Sequence, residues 1–148
     1  MSKLSNLSTL WGGAQQYLLS ALQVQQLSAA RAVCGFGSWG MSKKKLLDRV
    51  GWLSVRQLVF YHTVIQTCKT INTGYPKPLF QALSSNYPNS TRRATAGHIR
   101  QDESISTSSF RYRARLSYNQ VPVDVRTGSQ ATIKRKLKQW VKTNIPID

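Results

Sequence analysis

The five acidic side chains are the first candidates for chemistry, because paired carboxylates can hold catalytic metal ions. They are Asp48, Asp102, Glu103, Asp124 and Asp148, and none forms a paired-aspartate motif on a strand–turn–strand pattern. Two-metal phosphoryl transfer therefore lacks its ligands. A Gly-rich phosphate loop ending in Gly-Lys-Ser/Thr and a nucleophile elbow are also missing from the sequence. We expect no catalytic residue, no cofactor and no enzymatic activity from this chain alone.

The cysteines and histidines are too far apart in sequence to predict a metal site. Cys34 and Cys68 form no CxxC pair, and His62 and His98 have no partner at ligand spacing. His62 lies in an apolar helical run, which favours a core histidine over a catalyst. No stretch reaches the roughly 18 apolar residues that span a bilayer, and no secretory leader is visible. We therefore expect the nucleus or cytoplasm, without a membrane partner.

Charge gives the strongest functional signal. Lys and Arg number 21 against 5 acids, for a net charge of +16 and a pI near 10.6. Such a chain favours a polyanionic partner, with nucleic acid as the first candidate and an anionic membrane as the second. We expect sequence-nonspecific contact with an RNA or DNA backbone. The cations predicted to make that contact are Lys43, Lys44, Lys45, Arg92, Arg93, Arg111, Arg113, Arg115, Lys134, Arg135, Lys138 and Lys142.

A C-terminal amphipathic helix, predicted near residues 129–143, would position the last four of these cations. At about 100° per residue, its apolar side chains fall within one arc and its cations fan over the opposite side. The apolar residues are Ile133, Leu137, Trp140 and Val141. We expect Trp140 to anchor the helix in a core and not to stack on bases.

Two further basic segments leave alternatives open. A short helix after Ser42 would place Lys43–Lys45 in its first turn, where exposed backbone N–H groups favour a phosphate. The alternative there is a solvated lysine run. Residues 110–119 alternate like a strand with one basic face, yet they also fit a helix that ends before Pro122. We favour the helix, and in both cases three arginines would project beside aromatic rings.

Two more helices are predicted earlier in the chain. Residues 14–33 would bury one apolar face, with glutamines as the polar complement; the face consists of Leu18, Leu22, Ala29 and Val33. Residues 54–73 begin at a capping box of Ser54 and Gln57, with a hydrophobic staple of Leu53 and Leu58 around it. Gly74 marks their end.

These elements predict a mainly α fold, a small helical bundle with a long Ser/Thr-rich loop and a basic C-terminal amphipathic helix. Residues 84–109 are rich in Ser, Thr, Asn and Gly and lose all periodicity. We assign them to a linker or long loop between a helical region, 1–83, and a basic helical region, 110–148.

Several segments, in order, resemble the C-terminal end of non-LTR retrotransposon reverse transcriptases, from about Leu10 to Asp148. The most specific are "LQVQQLSAAR", "GWLSVRQ" and "YNQVPVDVR". The resemblance implies that 1–83 is thumb-like and that 110–148 is a post-thumb extension. In the family the catalytic aspartate box lies upstream, so a nucleic-acid-binding fragment without the polymerase palm is implied. The alternatives are a structural helical module that packs on a palm domain of another chain, and a small host RNA-binding protein.

Overall fold

The computed structural model describes residues 8–84, 98–99, 106 and 109–147. Helices and no strands occur among them, so the predicted mainly α fold is confirmed. Arg92, Arg93 and most of the predicted 84–109 loop lie outside the described residues. The elements are α1 (Ser8–Trp11), α2 (Gln16–Cys34), a 3₁₀ turn (Phe36–Ser38), α3 (Lys43–Val50), α4 (Val55–Thr73), α5 (Lys77–Leu83), α6 (Phe110–Gln120), α7 (Val123–Arg126) and α8 (Gln130–Asn144).

Helix α4 begins and ends where its local sequence signals predict. The Ser54 hydroxyl accepts a hydrogen bond from the Gln57 backbone N–H at 3.2 Å, and the Gln57 side chain accepts one from the Ser54 N–H at 3.1 Å. Gly74 follows the last turn in the left-handed conformation, with φ of 66°. That conformation suits glycine and ends the helix. The predicted capping box and stop are both confirmed.

Helix α4 is the centre of the described fold, because α1, α2, α5, α6 and α8 all pack against it. The main core cluster contains residues from both sides of the predicted linker, so regions 1–83 and 110–148 share a core. Its buried members are Leu53, Leu58, Val64, Cys68, Val121, Val125, Ile133, Leu137 and Val141.

Helix α2 forms where predicted, but its predicted buried face is wrong at three of four positions, and the fourth, Leu22, is only partly buried. Leu18 is 48% exposed, Val33 is 68% exposed, and Ala29 also faces solvent. The buried side contains two of the glutamines that were expected to form the polar complement, Gln23 and Gln26.

The reason is that α2 packs against the start of α4, where backbone polar groups need partners. Gln26 Nε2 donates to the Leu53 carbonyl at 2.8 Å, and Gln23 Oε1 accepts from the Val55 N–H at 2.8 Å. The two glutamines are themselves joined at 3.1 Å. Buried polar groups are stable only when paired, so the amide side chains take positions that hydrophobicity alone assigns to leucine and valine.

Segment 110–119 is helical, which confirms the favoured interpretation. Ser109 caps α6 by accepting a hydrogen bond from the Tyr112 N–H at 3.2 Å, and the helix ends before Pro122. Near its end, the Asn119 side chain pairs with both backbone groups of Ile99, at 2.9 and 2.7 Å. These bonds hold Ile99 in place, and Ile99 is the one buried residue among those that the structure describes between positions 85 and 105.

Helix α8 has the predicted apolar side, which we call the apolar seam. Ile133, Leu137 and Val141 are 2%, 0% and 0% exposed. Trp140 is partly buried against the same core and stacks on Phe60, with the ring centroids 5.8 Å apart. The expected packing of Trp140 against the core is therefore observed.

Candidate nucleic-acid interface

The solvent face of α8 holds an ordered row of cations. Lys134, Arg135 and Lys138 are exposed, while the opposite side of the helix is buried in the core. Lys134, Lys138 and Lys142 recur every four residues, so they follow one side of the helix over about 12 Å. Because the apolar seam fixes the helix, these charges are held outward in a fixed order.

Helix α3 supplies a second group of cations. Ser42 caps it by accepting a hydrogen bond from the Lys45 N–H at 3.4 Å, which confirms the predicted short helix. Lys43, Lys44 and Lys45 are exposed in its first turn, and no acid accompanies them there. The N-terminal end of a helix already carries partial positive charge, so the lysines raise the local potential further.

The two groups meet at a cleft of about 500 Å³ between the start of α3 and the end of α8. Lys43 and Lys44 line it from one side and Lys142 from the other. We define the basic ridge as Lys134, Arg135 and Lys138 of α8 together with the three cations that line this cleft; the exposed Lys136 is left out because its Nζ donates to the Asp124 carbonyl at 2.9 Å. Its members are Lys43, Lys44, Lys134, Arg135, Lys138 and Lys142.

One acid touches the ridge among the described residues. Lys142 Nζ lies 2.9 Å from Asp48 Oδ1, and both side chains are partly exposed to solvent. Exposed pairs of this kind contribute about 0–1 kcal/mol. A phosphate can therefore displace the carboxylate at little cost in stability.

The prediction that the three arginines of α6 project from the fold is wrong for two of them. Arg111 is exposed, but Arg113 Nη2 donates to the Thr9 carbonyl at 2.9 Å, and Arg115 is 1% exposed and donates to the Ala82 carbonyl. Residues two apart on a helix are separated by about 200°, so Arg113 leaves a different face from Arg111 and Arg115. Arg111 and Arg115 are four apart and share a side, but Arg115 is covered there by α5, which supplies the Ala82 carbonyl. Burial also lowers the pKa of Arg113.

Arg126 is a structural cation that the sequence patterns did not predict. It is 5% exposed, its guanidinium carbon lies 4.3 Å above the Tyr118 ring, and Nη1 donates to the Tyr118 carbonyl at 3.2 Å. That carbonyl belongs to the last turn of α6 and also accepts from the Val121 N–H at 3.3 Å, so Arg126 is its second donor. The signal in the sequence is a cation that follows shortly after a helix stopped by proline.

His62 lies on α4. It is partly buried and meets the Tyr61 ring edge-on, with the centroids 5.2 Å apart. Burial lowers the pKa of His62, and the positive charge of Lys134 lowers it further. These contacts agree with a packed histidine, and α8, which carries Lys134, packs on α4.

The part of the chain that the structure describes contains no group of three His, Cys, Asp or Glu side chains that could hold a metal ion. None of its helices is long and apolar enough to cross a bilayer. Cys34 and Cys68 are free thiols.

Comparison with protein-family models, with curated proteins and with solved structures gives no match to this chain. The geometry and charge of the basic ridge are therefore the grounds for assigning a function.

Proposed function

We propose that the chain is a sequence-nonspecific nucleic-acid-binding module that contacts the phosphate backbone of RNA or DNA through the basic ridge. One observation carries the proposal: the buried seam of α8 holds Lys134, Arg135 and Lys138 outward in a fixed row. Phosphate contacts supply essentially all of the affinity in nonspecific binding. The helix that carries this row of cations is already folded, so binding does not have to order it first.

The composition of the ridge supports backbone contact over base recognition. Five of its six members are lysines, which act as point charges toward phosphate. Sequence is read mainly by bidentate arginine, asparagine or glutamine side chains on base edges. Arg113 and Arg115, which could have made bidentate contacts, are engaged with backbone carbonyls inside the fold.

We further propose that this module corresponds to the thumb-like and post-thumb region of a non-LTR retrotransposon reverse transcriptase and has no polymerase activity by itself. The order of the motifs quoted above and the helical fold support this origin. The test is the genomic sequence upstream of the chain. An open reading frame that encodes a palm with its aspartate box would support the proposal, and a host promoter there would favour a host RNA-binding protein.

A charge-matched pair of variants tests the binding function. The ridge variant changes Lys134, Arg135 and Lys138 to glutamine, and the control variant changes three exposed cations outside the ridge. The control positions are Arg49, Lys69 and Lys77. Both variants carry three fewer positive charges, so any difference between them reflects position and not net charge.

Affinity for two unrelated duplexes is measured by fluorescence anisotropy. Each phosphate contact contributes roughly a factor of 8 at about 0.1 M salt, so losing three weakens binding by about 10²–10³-fold. We expect this loss for both duplexes with the ridge variant and a much smaller loss with the control. Equal losses in the two variants would reject the ridge as the site.

The structural-module alternative has one observation in its favour. The outer face of α2 exposes Tyr17 at 66% and Val24 at 61%, and Arg31 is the one charged residue of that helix. Such a face suits a protein partner, including a palm domain on another chain. If neither variant changes duplex binding, this alternative replaces the ridge proposal.

A further inference from the structure

The turn after α2 exposes two large aromatic side chains. Phe36 is 94% exposed and Trp39 is 76% exposed. The other three tryptophans, Trp11, Trp52 and Trp140, are partly buried. Single exposed apolar residues are common, but two neighbouring aromatic rings left in water form a surface that a flat ligand can cover.

The backbone that carries these rings is rigidly held. Gly35 has a φ of 73°, a conformation that suits glycine, and its N–H donates to the Arg31 carbonyl at 2.9 Å. Ser38 is fully buried and its hydroxyl donates to the Gly35 carbonyl at 2.7 Å. The Met41 N–H closes the turn on the Ser38 carbonyl at 3.2 Å. The rings therefore project from an ordered support, which reduces the entropy lost on binding.

The two rings border a cleft of about 390 Å³, together with Ser28, Arg31, Ala32 and Gly35. This volume lies within the range of about 300–1,000 Å³ that small-ligand sites occupy. Among the described residues that line it, Arg31 alone is charged. Aromatic walls beside one guanidinium suit a flat ring that carries an anionic group.

We propose that Phe36 and Trp39 stack on an unpaired nucleobase whose backbone phosphate lies near Arg31. This inference rests on the proposed function and deepens it, since it assigns a preference for single-stranded or unpaired regions. Stacking is tolerant of sequence, because every base has a π face. Bases inside a duplex are already stacked and cannot enter the cleft.

Charge decides between a nucleic acid and a protein as the occupant. The lysine run of α3 begins four residues after Trp39, which places it within about 14 Å along the chain. Lys43 and Lys44 belong to the basic ridge, so a strand bound at that end of the ridge lies within reach of the two rings. An apolar protein partner would instead have to cover Arg31 and lie beside three uncompensated lysines.

The test compares a thymidine homopolymer single strand with a duplex of the same length. The variants are Trp39→Ala, Phe36→Ala and the conservative Trp39→Phe, and the control is Tyr75→Ala, an aromatic residue 72% exposed on another turn. Losing one base stack weakens single-strand affinity by about 5- to 150-fold. We expect this loss for both alanine variants, unchanged duplex affinity, and retained affinity in Trp39→Phe. Single-strand binding should also quench tryptophan fluorescence in the wild type but not in Trp39→Phe.

Each other outcome overturns the inference. Unchanged single-strand affinity in both alanine variants, with the ridge variant still impaired, rejects the stacking site and leaves the proposed function standing. Equal weakening for duplex and single strand, or an equal effect of Tyr75→Ala, also rejects it. If the wild type self-associates and Trp39→Ala abolishes that association without affecting single-strand binding, the surface belongs to a second copy of the chain. Failure of the wild type to bind either nucleic acid rejects the proposed function itself.

Discussion

Replacement of the buried Gln26 by leucine tests the contacts that join α2 to the start of α4. Gln26 is 1% exposed, donates to the Leu53 carbonyl at 2.8 Å and accepts from Gln23 Nε2 at 3.1 Å. Leucine is similar in size but can do neither, so a buried carbonyl and a buried amide N–H lose their partner. Each such loss costs about 1–3 kcal/mol, which gives a destabilisation of about 2–6 kcal/mol. A typical domain is stable by about 5–15 kcal/mol, so the effect is large.

Urea unfolding followed by far-ultraviolet circular dichroism measures this change. The matched control is Gln25→Leu, because Gln25 is the neighbouring residue on α2 and is exposed. Surface substitutions of this kind change stability by about 0.5 kcal/mol or less. If Gln26→Leu is as stable as Gln25→Leu, the amide contacts do not hold α2 in place, and the explanation given for its buried face fails.

Three further predictions concern close packing and titration. A side chain at Gly12 would overlap side chains of α4 and α6, so Gly12→Ala should destabilise the fold by about 1–3 kcal/mol in urea unfolding, whereas Gly37→Ala, with open space around it, should not. Lys134→Gln removes a nearby positive charge and should raise the pKa of His62 in an NMR titration; a lower pKa would contradict the geometry. Because the pKa of His62 is depressed in the folded state, the wild type should lose stability as pH falls below about 6.5, and this variant should lose less. Burial raises the pKa of Cys68 to about 11, so about one in a thousand of its thiols is ionised at pH 8, and a disulfide reagent should leave it unmodified in the folded protein.

Local signals predicted the helices well. Helix α4 was predicted at both ends because Ser54, Gln57 and Gly74 act within one turn of their own backbone. The seam of α8 was predicted because its apolar residues repeat at the helical period. Both features depend on residues that are close together in sequence.

The features that sequence analysis missed depend on distant partners. The buried face of α2 depends on backbone groups of Leu53 and Val55, about 30 positions away, and hydrophobicity carries no information about them. The cleft of the basic ridge joins Lys43 to Lys142, and no pattern within either helix predicts their meeting. The inward arginines of α6, Arg113 and Arg115, were missed because their partners, the carbonyls of Thr9 and Ala82, are distant in sequence.

The salt dependence of duplex binding tests the basic ridge most directly. For contacts with phosphate, the logarithm of the binding constant falls with the logarithm of salt concentration by about 0.9 per phosphate on duplex and about 0.7 on a single strand. If about five contacts form, the wild-type slope on duplex should be near −4 to −5. Neutralising Lys134, Arg135 and Lys138 together should flatten that slope by about two to three units for every sequence tested, while the control variant at Arg49, Lys69 and Lys77 keeps it. An unchanged slope in the ridge variant would mean that the row is only a solvated surface and would contradict the proposed function.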